Sequence, residues 1–438
     1  MTFFACLWVG LFPLLHGGTY AEITRDKWII MVTLWSATIC CFPADLIARR
    51  KQSRLPLSAF LRETIWTKPQ RLPLTLGCLF IIWMIISCLS SPYGPDTWLL
   101  GASSRREGLL TQLCYLSLFI CFTCSRVRIK PVILSSAAGV IVFFLVVVMQ
   151  RSGGNPMGLY PQGTDFALHP EFQGTIGNID MDTGYLCMIT GILLHSIASQ
   201  VGSIRDNKER LSRKSFLFLF ITAAGLLCSL WLVITMGVFF GLLTILLLFL
   251  VTLLNLLPRK LRIPVILVLL VFIMLLVWFR PGTDGALWEA HEIIHGRGQL
   301  SFGHNRIAVW YYSLKLAKEQ LFLGSGSDTF VYRFNDFLKQ NGYTIPQEQG
   351  GISLPSYFDN PHNEYIAHLI NPGLPAMLLL ILCVILSVFW KRDGLIPVLT
   401  APGAGVLCYG IQAVFSFSVC VVAPVFWVIM AISFQNCE

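Results

Sequence analysis

The sequence predicts an all-α polytopic membrane protein with about twelve transmembrane helices and one large extracytoplasmic loop containing short helices. Three observations lead there. First, 55% of the residues are hydrophobic and only 13% are charged, whereas a soluble domain carries roughly 25% charge. Second, runs at 215–231, 239–257 and 263–278 approach the length that crosses about 30 Å of hydrocarbon at about 1.5 Å per residue. Third, the short alternating strands of a membrane β-barrel are absent from the pattern.

The elements follow in order. The apolar run at 2–15 lacks a basic amino end and a small-residue cleavage site, so it reads as an uncleaved first span. Residues 28–42 return the chain, and 49–71 form a basic loop suited to anionic headgroups. Further spans are expected at 73–90, 109–124, 131–149 and 185–198. The uncharged stretch 215–257 is long enough for two spans, with a turn near Thr235-Met236-Gly237. Residues 263–278 lead into the polar interruption, and 376–390, 395–414 and 423–433 complete the set, with Pro402 and Gly403 expected to bend the second of these. The domain reading is 1–280 as an amino-terminal bundle of about nine spans, 281–373 as the large loop with the chemical core, and 374–438 as about three closing spans.

The net charge of +9 does not mark a nucleic-acid binder once its positions are read. Seven Lys or Arg lie in 49–71, three at Arg126, Arg128 and Lys130, and five between Arg205 and Lys214. Three more are Arg259, Lys260 and Arg262, and two are Lys391 and Arg392. These fall in alternate loops, which places them, and both termini, in the cytoplasm. The 14 Cys lie almost entirely in or beside apolar segments and read as small buried hydrophobes, with no redox or zinc site among them.

Chemistry is sought in the interruption, which holds GHNRIAVWYYSLKLAKEQLFLGSGSDTF from Gly303 to Phe330 and YFDNPHNEYIAHL from Tyr357 to Leu369. Ile307, Trp310, Leu314, Ala317 and Leu321 recur at helical spacing, so an amphipathic helix is expected with Asn305 as its cap and Arg306 in its first turn. A cation there opposes the helix field, and a bound anion would remove the conflict. His362 is the one side-chain type in its run with an unperturbed pKa near neutrality, suited to taking a hydroxyl proton. Asn360 is expected to cap its helix with Pro361 in the first turn, and Glu364 to orient the ring or bind a hydroxyl. Arg105, Arg106 and Arg151 add cations on the same face, as substrate contacts or as side chains reaching for headgroups. Gly174-Thr-Ile-Gly177-Asn178-Ile-Asp180 is compact enough to approach a ligand, yet it lacks the strand and P-loop Lys of a nucleotide site. His291-Glu292-Ile293-Ile294-His295 matches HExxH, the zinc-peptidase spacing, in a short segment with no evident third ligand.

Together these motifs resemble the O-antigen ligase and polymerase superfamily, the Wzy/WaaL-like membrane glycosyltransferases. The residues that carry the resemblance are Arg306 with Trp310, LFLGSGSDTF, His362-Asn363-Glu364-Tyr365 and Asn371-Pro372-Gly373, and more weakly Arg106-x-Gly108 and Gly174-x-x-Gly177-Asn178. The resemblance implies a bacterial cytoplasmic (inner) membrane enzyme that uses no cofactor or metal. Such an enzyme moves a glycan from a polyprenyl-diphosphate carrier to a glycan, lipid or protein hydroxyl with inversion at the outer face. It implies that His362 activates the acceptor and that Arg306, with Arg105 or Arg106, holds the diphosphate. Arg151, Asn178, Trp310, Asn363 and Glu364 would be further substrate contacts. One departure stands out: the family's usual Ser-Arg or Thr-Arg pair is replaced by Thr235-Met236-Gly237, so either Arg106 or Arg151 substitutes, or this member handles a different linkage or has lost activity. The alternatives are a transporter or flippase of lipid-linked saccharides and, further off, a membrane zinc peptidase built on the HEIIH segment.

Overall fold

The computed structural model describes residues 1–207, 212–279, 282–345, 347–349, 352–354, 357–390, 392–393, 396–397, 399–417 and 419–435. Lys208, Arg210, Pro281, Lys391 and Cys437, which figure in the charge, loop and cysteine patterns, lie outside the described residues. The described chain is all-α except for three short antiparallel pairs, Phe172–Gln173 with Gly177–Asn178, Gln347–Gln349 with Ile352–Leu354, and Arg392–Asp393 with Ile396–Pro397.

Six helices are long and apolar enough to cross a membrane: Tyr20–Ser53, Gln70–Leu89, Ile129–Arg151, Ile179–Ile204, Arg213–Met236 and Lys260–Trp278. The protein is therefore a polytopic membrane protein, and the expectation of about twelve membrane-length helices is corrected to six among the described residues. The reason is that an apolar run is not the same thing as a helix. Thr2–Leu14 changes pitch twice, from α to the wide turn Leu7–Leu11 and then to the tight turn Phe12–Leu14 at Pro13. Leu109–Thr123, Phe239–Leu254, Leu374–Phe389 and Ala423–Ser433 are also only 10–17 residues long. An eleven-residue helix such as Ala423–Ser433 rises roughly 16 Å, about half the hydrocarbon thickness. Among the described residues of the run 395–414, the helix spans Ala401–Gln412. Pro402 sits in its first turn, where a missing N–H costs nothing, rather than bending a longer span, and the Thr400 hydroxyl caps the Gly403 amide at 3.1 Å.

Small residues decide how closely the helices approach. Ala423–Ser433 is buried along its whole length. A Cβ at Gly191 of the Ile179–Asn207 helix would stand 2.6 Å from the Ala404 carbonyl oxygen, so these two helices touch backbone to backbone. The Arg213–Met236 helix ends on Gly237, whose φ of 69° makes the left-handed turn into Phe239–Leu256.

The segment after the Arg259–Trp278 helix carries Gly285–Ile294, Arg306–Ala317, Phe330–Gln340 and Glu364–Ile370. Ala308, Val309, Leu316 and Ala317 pack against Phe330, Phe334 and Ile370. The buried face is thus not the one expected from Ile307, Trp310, Leu314, Ala317 and Leu321, of which only Ala317 is buried. Small residues at 308 and 317 let the neighbouring helices come close, and bulky Leu314 and Leu321 turn outward.

A clasp ties this segment to the bundle. The Asn371 carbonyl accepts the amides of Ser325 at 2.7 Å and Gly326 at 3.0 Å, and its side chain accepts the Phe330 amide at 2.8 Å. From the Lys68–Leu89 helix, Trp83 donates to the Pro372 carbonyl at 2.9 Å and Ser87 to the Leu323 carbonyl at 2.6 Å. The LGSGSD turn and the Asn371-Pro372-Gly373 turn therefore form one unit.

Candidate active site

Three loops and two helix ends converge beside this clasp. Of the six non-glycine residues with left-handed backbone among the described residues, five lie in these loops: Arg106, His304, Asn305, Asp328 and His362. Such backbone is costly and persists where surrounding contacts over-determine it.

Asp328 organises the first loop. Its buried carboxylate accepts the Ala102 amide at 2.8 Å and the Glu107 amide at 3.2 Å, and pairs with Arg105 Nε at 3.3 Å. Burial raises its pKa, while Arg105 and the two amides oppose the rise. Arg105 is thereby laid over the Phe417 ring, its guanidinium carbon 5.0 Å from the centroid. Glu107, held by the Tyr115 hydroxyl at 2.7 Å, is pushed well above the usual carboxylate range by burial.

His362 meets the same Phe417 ring edge-on, with centroids 5.1 Å apart. It does not sit on a helix capped by Asn360. The helix begins at Glu364 and is capped by Asn363, whose side chain accepts the Ile366 amide at 3.0 Å. Asn360 instead accepts the His362 amide at 2.8 Å and fixes the left-handed turn. His362 Nδ1 is buried with no hydrogen-bond partner among the described residues. Burial first, then the positive charge of Arg306 and, less, of Arg105, brings the imidazole pKa down to about 4, against an opposing pull from Asp359. The ring is therefore neutral at physiological pH.

Arg306 opens the Arg306–Ala317 helix and faces Asp180 at 3.4 Å. Asn305 occupies the cap position without a side-chain capping bond. Asn178 is next to this pair, since its side chain accepts the Asp180 amide at 2.8 Å. Trp310 donates to the Pro361 carbonyl at 2.8 Å, which ties the Arg306 helix to the His362 turn. Its ring lies 5.9 Å from Phe415, which stacks on Phe240.

The other sequence-derived residues are engaged differently. Glu364 accepts the Tyr409 hydroxyl at 3.1 Å, and its amide donates to the Ala413 carbonyl. Arg106 lies over Trp28 at 5.4 Å. Arg151 bonds Gln173 at 2.8 Å and lies between Phe166 and Trp231. Beside Glu364 a cleft of 410 Å³ is lined by Arg105, Glu107, Asp328, His368 and Asn371.

In the HEIIH segment, His291 Nδ1 lies 2.9 Å from the Val277 carbonyl and His295 Nδ1 lies 2.8 Å from the His291 carbonyl. Arg297 grips both oxygens of Glu292 at 2.7 Å. Among the described residues no group of three His, Cys, Asp or Glu is arranged to hold a metal. The zinc-peptidase alternative thus lacks a third ligand there, and its would-be base is occupied.

Residues 211–381 match the family model for O-antigen ligase. The O-antigen ligase match carries Arg306, Trp310, Asp328, His362 and Asn371, and supports glycan transfer in general terms. Arg105, Asn178 and Phe417 lie outside it and reach the same place through the fold. No curated protein matches the chain.

Phe415 and Phe417 were not singled out by the sequence, and Asp180 and Asp328 lay inside runs it marked without being given a role of their own. Asp328 had a signal, since an acidic residue after Gly-Ser-Gly-Ser can take left-handed backbone and accept several amides. Phe417, inside an apolar run, had none.

Proposed function

We propose that this protein transfers a glycan from a polyprenyl-diphosphate carrier to an acceptor hydroxyl, with inversion, at the outer face of a bacterial cytoplasmic membrane. One observation carries the reading: a neutral imidazole with an unpartnered buried nitrogen shares the Phe417 ring with Arg105 and lies in the field of Arg306.

In this mechanism the diphosphate is gripped by Arg306 and Arg105. Asp328 orients Arg105 from behind, and the long contact to Asp180 makes Arg306 ready to exchange partners. Guanidinium groups match paired phosphate oxygens and meet the charge that grows as the sugar leaves. The acceptor hydroxyl gives its proton to His362 Nδ1 while its oxygen bonds to the anomeric carbon. The bond from that carbon to the diphosphate oxygen breaks on the opposite face, and its electron pair stays on the diphosphate. The cations that depress the imidazole are the ones the diphosphate neutralises, so donor binding makes His362 a stronger base at the moment it is needed.

The test uses purified full-length protein with a lipid-diphosphate oligosaccharide and an acceptor glycan. Release of free lipid diphosphate is expected, and His362→Ala should abolish it while keeping the wild-type melting transition. Wild-type turnover in that variant would remove His362 as the base. Movement of intact donor across a liposome membrane without release would favour a flippase instead.

A further inference from the structure

A second cavity, about 790 Å³ counted to its open mouth, lies away from this site. It is bounded by Ile129, Lys130 and Ile133 of one helix, by His195, Ser196, Ser199 and Gln200 of a second, and by Phe218 with 399–402. Along the Ile179–Asn207 helix, Asp180 is fifteen residues from His195 and twenty from Gln200. At about 1.5 Å per residue those separations are roughly 23 and 30 Å, the thickness of the hydrocarbon layer. The Ile129–Arg151 helix runs the same distance the other way, with Lys130 at the cavity and Arg151 at the Gln173 end. The cavity therefore opens at the headgroup layer opposite the one that serves His362.

Its lining has an amphiphilic division. Lys130, His195, Ser199 and Gln200 face the space, and among the described residues none gives these four side chains a hydrogen bond or an ion pair. Among the described residues no carboxylate is in the lining. Ile129, Ile133, Phe218, Leu399 and Pro402 supply an apolar wall around them. A water-filled polar slot would not need the aromatic and aliphatic wall, and a purely apolar ligand would leave a cation and three polar side chains idle.

We propose that this cavity binds the phosphodiester headgroup of an anionic glycerophospholipid, with Lys130 and His195 on the phosphate, Ser199 and Gln200 on headgroup hydroxyls, and the upper acyl chains against Phe218 and Ile133. Basic pockets between membrane helices take such headgroups by the same combination of charge and apolar contact. The site joins four helices, so an occupied cavity cross-braces the bundle at the end remote from the chemistry and stabilises the folded form by mass action.

The experiment titrates full-length protein in neutral detergent with phosphatidylglycerol, phosphatidylcholine or inorganic phosphate, reading bound lipid by native mass spectrometry and stability by thermal unfolding. Phosphatidylglycerol should bind at least tenfold tighter than phosphatidylcholine and raise the melting temperature. Lys130→Ala and His195→Phe should each weaken it about tenfold, whereas Lys260→Ala, a surface charge remote in sequence, should not. Equal retention of the two lipids, unchanged binding in Lys130→Ala, or an equal loss in Lys260→Ala would overturn the proposal. Inorganic phosphate binding as tightly as phosphatidylglycerol would overturn its lipid part. Ser199→Ala, which removes only a hydroxyl, guards against a folding artefact: it should melt like wild type without lipid and show a smaller rise with it.

Discussion

Asp328 offers the sharpest test of how the site is held, because two substitutions there remove different parts of its work. Asp328→Asn keeps an oxygen for the Ala102 and Glu107 amides and loses only the charged contact to Arg105, now facing an amide nitrogen. A hydrogen bond to a charged group is worth about 1.5–3 kcal/mol. If Arg105 must be held in place to meet the leaving diphosphate, that loss appears as a fall in turnover of roughly 10- to 100-fold at about 1.4 kcal/mol per tenfold. Asp328→Ala also strands two buried amides at about 1–3 kcal/mol each, so it should unfold at a visibly lower temperature than Asp328→Asn. The assay is release of lipid diphosphate at saturating donor, beside thermal unfolding of both variants in the same detergent. Wild-type turnover in Asp328→Asn would refute the claim that this carboxylate sets Arg105, and equal melting of the two variants would refute its hold on the two amides.

Three further outcomes follow. In the unliganded protein His362 loses its proton-accepting form only as pH falls through about 4. Bound diphosphate opposes Arg306 and Arg105, so the acid limb of kcat should lie at higher pH than that of kcat/KM, and a kcat limb at the lower pH would contradict the mechanism. Arg306→Gln removes a charge that lowers the imidazole pKa, so the His362 ring signal in an NMR titration should move to higher pH, and an unmoved titration would separate the two residues. Gly373→Ala places a methyl against the Phe322 carbonyl at a φ of 90°, where backbone strain alone costs about 1–3 kcal/mol. It should lower the melting temperature and loosen the clasp, measured as faster amide exchange at Ser325 and Gly326, and unchanged exchange there would count against the clasp.

The helix positions were largely legible because apolar periodicity and breakers act locally. The expected runs 109–124, 239–257 and 423–433 correspond to Leu109–Thr123, Phe239–Leu256 and Ala423–Ser433, and the turn at Gly237 falls where a glycine permits left-handed backbone. Helix lengths were not, because hydropathy does not register where the backbone changes pitch, as it does over Thr2–Leu14, or how far a helix continues into charged residues, as Ile23–Ser53 does. The site divided the same way. Arg306 and His362 stood out because a cation in a first turn and a lone imidazole conflict with a bland surface. Asp328 and Phe417 matter through partners some 220 and 310 positions away, Arg105 in both cases, and no local pattern carries that information.

The Phe417 ring has one more consequence. It is the surface against which Arg105 and His362 both rest, and it is made after nearly all of the chain that holds them. A nascent polypeptide therefore carries Arg105 and His362 without their shared surface until Phe417 has been made.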